Sequence, residues 1–208
     1  DPATHRYHVH ELLRQYGSEK LNADPALETT ARDQHSQYYC ERLGHAVEGS
    51  KDSELPSVWD AVQDDKENVR AACLRAATYF HPGRLVQAAD ALGWFYYRGY
   101  GNLQQGESTF RAMEEALVAS KAWPSSETSD RARTMVRILA WRATFRQLVV
   151  GDKETSKHLL RKCLTLLDGP NLTAGDCGVE RAQSAYQGGS YWRYPGAGPA
   201  RERVAASG

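Results

Sequence analysis

Apolar residues recur at helical spacing along most of the chain. Val9, Leu12, Leu13 and Tyr16 follow i, i+3, i+4, i+7, which marks one face of an α-helix. The stretch before them, from residue 6, reads as the end of a strand running into that helix. Asp24-Pro25 breaks the segment, and a second helix is predicted over 26–47 with Tyr38, Tyr39, Leu43 and Ala46 on or near one face. Gly49 and Ser50 end it, and a short helix over 53–63 carries Leu55, Val58, Trp59 and Val62. Asp64 and Asp65 suit a helix start, because a carboxylate accepts from the free N–H groups of a first turn. The helix that follows runs to about Phe80 and places Val69, Ala72, Cys73 and Ala76 inward. His81-Pro82-Gly83 reads as a stop.

Beyond Gly83 the pattern repeats. A helix over 84–98 carries Leu85, Ala88, Ala89, Leu92, Phe95 and Tyr96, and Gly99-Tyr100-Gly101 turns the chain. A partner helix over 103–120 carries Phe110, Met113 and Leu117, and Pro124 with Ser125-Ser126 makes a loop. A helix over 129–149, the turn Gly151-Asp152 and a helix over 153–167 then restate the same grammar. Setting Gly101 on Gly151 brings Gly106 onto Ser156, Phe110 onto Leu160 and Met113 onto Cys163. Helix pairs of this kind cannot bury an apolar face alone, so they stack. The expected fold is therefore all-α, a right-handed stack of antiparallel helix pairs of the tetratricopeptide-like α-solenoid type, with seven or eight helices. After Asp168-Gly169-Pro170 a short helix is predicted over 179–186, followed by a Gly-, Pro- and Arg-rich tail with no helical period. Its Tyr191, Trp192 and Tyr194 suit either a free tail or a plug for the last groove of the stack.

Composition narrows the function. The 208 residues hold 26 Lys+Arg and 26 Asp+Glu, so the net charge is zero and no basic face for nucleic acid or an anionic membrane is expected. No apolar run approaches the roughly 20 residues of a membrane span, and the first residues show no leader pattern. Cys40, Cys73, Cys163 and Cys177 are widely spaced and read as small buried thiols in a reducing, cytoplasmic setting. Gly-x-x-x-x-Gly-Lys-Ser/Thr and Gly-x-Gly-x-x-Gly are both absent, so this chain has no phosphate loop of its own. His5, His8 and His10 with Glu11 lie close in sequence, but zinc needs three or four converging ligands with a supporting shell. They read as ordinary histidines at a strand-to-helix junction. Glu114-Glu115 and Asp64-Asp65 read as surface or capping carboxylates. No nucleophile–base pair stands out, and the chain is expected to be non-catalytic with no metal.

Aromatic residues cluster at Trp94, Phe95, Tyr96, Tyr97 and Tyr100, with Trp141 and Phe145 in the equivalent later helix. Successive positions on a helix are about 100° apart, so one stripe cannot hold them all. Two readings stand: interhelix core, or a groove for a peptide or small ligand. The candidate groove comprises Trp94, Tyr97, Arg98, Arg137, Trp141 and Arg142, since aromatics and arginine are the usual interface anchors.

The opening segment Val9-His10-Glu11-Leu12-Leu13-Arg14-Gln15-Tyr16 resembles the Met-His-Asp-like junction after the nucleotide-binding core of STAND-class (NB-ARC-type) signalling ATPases. "RDQHSQYYCERL" at 32–43, "DKENVRAAC" at 65–73 and "GESTFRAMEEAL" at 106–117 are similar to the helical region of bacterial members. The resemblance implies a fragment: residues 1–22 the remnant of a winged-helix domain, 23–82 a helical linker bundle, 83–187 tetratricopeptide-like repeats and 188–208 an irregular tail. It implies a sensor that binds a protein, peptide or small-molecule ligand and relieves inhibition of an upstream ATPase domain. ATP or ADP would sit in that missing core, and no cofactor in this chain. His10 would be the nucleotide-sensing histidine; Val9 and Glu11 depart from the family's Met and Asp. Further repeats are usual in the family, so the apolar edge left where the pattern ends would favour self-association. The alternative is a stand-alone tetratricopeptide-like scaffold that binds peptides.

Overall fold

The computed structural model describes residues 9–48, 55–79, 81–98, 102–120 and 129–167. They form eight helices and, among the described residues, no strand: α1 (Glu11–Asn22), α2 (Pro25–Glu48), α3 (Leu55–Asp64), α4 (Lys66–Thr78), α5 (Pro82–Tyr97), α6 (Leu103–Ala119), α7 (Ser129–Val150) and α8 (Lys153–Leu167). The strand end before residue 9, the predicted helix over 179–186 and the aromatic tail lie outside the described residues.

Local chemistry starts several of the helices. The Asp24 carboxylate accepts from the N–H groups of Ala26 and Leu27 at 3.1 and 3.0 Å and opens α2. Asn102 accepts from Gln104 N–H at 2.7 Å and opens α6. Gly151, at φ +66°, makes the turn out of α7, and Asp152 then accepts from Thr155 N–H at 2.9 Å to open α8. The His81-Pro82-Gly83 stop is also a start. Pro82 is the first residue of α5, two positions before the predicted Arg84, because proline's missing N–H is no loss in a first turn.

The packing repeats with the caps. Asp65, Asn102 and Asp152 precede α4, α6 and α8. Four, seven, eight and eleven residues beyond each lie the buried positions Val69, Ala72, Cys73 and Ala76; Gly106, Thr109, Phe110 and Met113; Ser156, Leu159, Leu160 and Cys163. α2 packs on α4 and α5, α4 on α6, α5 on α7, and both α6 and α8 on α7. One apolar cluster runs through these helices from Cys40 to Cys163. α5 touches α2, α4, α6 and α7 and is buried almost all round. That is why Trp94, Phe95 and Tyr96 are all interior, although three successive residues span most of a helix's circumference.

Two predicted faces differ from those observed. On α2 the buried side is Ser36, Cys40 and Leu43, while Tyr38 is exposed. Small and weakly polar side chains form this contact, so a count of large apolar residues misplaces it. On α1 the stripe Val9, Leu12, Leu13 and Tyr16 exists at the predicted spacing, but it is between 58% and 67% exposed, and no residue of the helix is buried. α1 touches α2, and Leu21 is its one half-buried residue.

Candidate functional site

The two tryptophans of the candidate groove are packed between helices. Trp94 and Trp141 are 4% and 1% exposed and meet edge to face, with ring centroids 5.5 Å apart, inside the α5–α7 contact. Arg137 donates to Asp90 at 3.0 Å, and Trp141 Nε1 donates to the other oxygen of the same carboxylate at 3.1 Å. Arg142 donates to Glu114 and lies 3.6 Å from Glu107. Of the six, Arg98 is exposed and Tyr97, Arg137 and Arg142 are half-buried, and the Arg98 guanidinium lies 5.5 Å from the Trp94 ring centroid. The cause is the central position of α5, which turns anchors into interhelix core. Glu114 is likewise no solvated carboxylate: it is half-buried and holds α6 to α7. Asp90 was not visible as a partner from sequence, though a carboxylate among the apolar positions of α5 was the available signal.

The described surface does contain a cleft. It has a volume of about 240 Å³ and lies between α2, α3 and α4. Its walls are Leu43, Val58, Val62 and Val69, and its polar lining includes Arg42 and Asp65, which pair at 2.9 Å. Asp65 therefore stands at the N-cap of α4 but spends its side chain on α2 instead of its own helix. An apolar wall with one charged pair suits binding of a small apolar group or side chain.

His10 is exposed and caps α1: its Nδ1 accepts from Leu12 N–H at 3.3 Å. The next residue, Glu11, pairs with Arg14 at 2.9 Å. His5 and His8 lie outside the described residues, and among the described residues no group of His, Cys, Asp or Glu is placed to hold a metal ion. No described helix is long and apolar enough to cross a membrane. Cys163 is buried, and that burial, reinforced by the Glu114 carboxylate, pushes its thiol up to about 12, far from thiolate chemistry at neutral pH. Comparison with protein-family profiles, curated proteins and solved structures gives no match.

Proposed function

We propose that the chain is a non-catalytic sensor region of a STAND-type signalling ATPase, built as a right-handed tetratricopeptide-like solenoid and working in the cytoplasm. The shared spacing of caps and buried positions in α4, α6 and α8 supports the stacked-repeat reading. The observation that carries the coupling to another domain is α1. Its whole apolar stripe lies open beside His10, and a helix with such a stripe is ordinarily stable only against a cover. In this reading the cover is the upstream nucleotide-binding core, which holds ATP or ADP, and His10 faces its phosphates. The cleft between α2, α3 and α4 receives part of the protein, peptide or small-molecule ligand. Ligand binding then shifts the ATPase by a coupling between two sites.

The test is the coding DNA upstream of Asp1. An in-frame Gly-x-x-x-x-Gly-Lys-Ser/Thr is the expected result. The longer protein should then protect the α1 amides from hydrogen exchange relative to this chain. An initiation codon directly before Asp1 would sink the ATPase reading. Peptide binding at the cleft, by a stand-alone scaffold, would take its place.

A further inference from the structure

Cys40, Cys73 and Cys163 are free and buried, and two of them are neighbours. Cys40 on α2 and Cys73 on α4 have their Sγ atoms 4.0 Å apart, at 1% and 0% exposure. The crossing that brings them together is made of small side chains. Ser36, one turn before Cys40, donates to the Ala72 carbonyl at 2.8 Å and ties the two helices in register. Ala72 and Ala76 lie fully buried on the same face as Cys73. Cys163 has a different setting, donating to the Val136 carbonyl at 3.6 Å.

We propose that Cys40 and Cys73 are an oxidative modification site, closing to an intramolecular disulfide in response to a hydroperoxide and reopening under thiols. The inference does not depend on the signalling reading above. A disulfide is about 2.05 Å long, so the sulfurs must close by about 2 Å, within reach of side-chain rotation and a small helix shift. Leu43 and Val69, each one helical turn from a cysteine, line the wall of the cleft. The packing encloses both sulfurs, so in this proposal a hydroperoxide reaches them when the α2–α4 contact opens locally at that wall.

The two sulfurs have unequal roles. The hydrogen bond between the two sulfurs, with the Arg84 charge, holds the Cys40 thiol below its ordinary range against the opposing effect of burial. The same bond, with burial, pushes Cys73 well up. The Cys40 thiolate attacks the peroxide, the O–O bond breaks, and Cys40 becomes a sulfenic acid while the leaving oxygen takes up the proton that Cys40 released and departs as an alcohol (water, for hydrogen peroxide). The Cys73 sulfur then attacks the Cys40 sulfur. The S–S bond forms, the S–O bond breaks, and the hydroxyl leaves as water with the Cys73 proton. Two electrons pass from the two thiols to one hydroperoxide.

The test treats the folded chain with hydrogen peroxide, blocks free thiols and maps tryptic peptides without reduction. The expected product joins peptide 33–42 to peptide 71–75, and it disappears on adding dithiothreitol. The Cys163→Ser variant should still form it, and Cys40→Ser and Cys73→Ser should not. Oxidised wild type should melt several degrees above its reduced form. The wild-type map decides even if a variant fails to fold. Oxidation confined to Cys163 or Cys177, or a 40–73 link that forms only in urea, would overturn the proposal.

Discussion

A β-carbon added to Gly93 would lie 2.1 Å from the Trp141 ring, closer than any real contact. The indole lies against the backbone of α5 and is held by its bond to Asp90. Gly93→Ala must therefore displace the ring or the helix. The expected loss is about 1–3 kcal/mol, read as a lower urea midpoint at unchanged slope. In a Trp141→Ala background the space is open, and the same methyl should be nearly neutral or helpful, since alanine favours helix over glycine. That non-additivity is what a shared contact requires. Arg142 gives a second residue-level expectation. It faces Glu107 and Glu114, and all three side chains are at most 15% exposed. Arg142→Met strands two carboxylates and should cost about 3 kcal/mol. Glu115→Ala, at an exposed position whose pairing to Arg111 is 4.0 Å long, should stay within about 0.5 kcal/mol. Neither contact is legible in the sequence, because each joins residues on different helices whose rotation is fixed only by packing.

At the scale of the helix, the caps predict a response to acid. Hydrogen bonds from the Thr155 side chain and backbone, together with the Arg146 guanidinium at 2.8 Å, pull the Asp152 carboxyl from its ordinary 3.8 down to about 2. A lowered folded pKa means that the ionised group stabilises the fold. That contribution is complete above pH 3.8 and disappears as pH falls through about 2. Asp152→Asn keeps a capping oxygen, as Asn102 does at the matching place before α6. The variant should hold α8 at neutral pH and show less loss of stability between pH 4 and 2, followed by circular dichroism through an acid titration. Asp152→Ala should lose stability at neutral pH as well, because the cap oxygen is gone. The elements themselves were largely legible. The periodicity, Asp24 and Gly151 mark helix starts and turns within a residue or two. The α2 face was not, because Ser36 and Cys40 pack there and Tyr38 does not.

Across the whole molecule, what the sequence conceals is which helix lies in the middle. α5 and α1 both show apolar residues at helical spacing, yet α5 is enclosed by four helices and α1 leaves its stripe open. Local pattern says that a face wants cover, whereas topology decides whether this chain provides it. Trp94 and Trp141 are interior for that reason, and the α1 stripe is the informative surface for the same reason. Replacing Leu12 and Leu13 together by serine separates the two cases. Both side chains are more than 60% exposed, so the double variant removes little buried area. Its urea midpoint should match the parent within about 0.5 kcal/mol, apart from a small loss of helix propensity in α1. Binding of a dye that reports exposed apolar surface should fall, because two of the four exposed apolar side chains of the stripe have gone. A longer protein carrying the upstream core should lose the protection of its α1 amides on the same substitution. A midpoint drop of several kcal/mol in the chain by itself would mean that these leucines are already covered within it. The open stripe could then no longer argue for a docked domain.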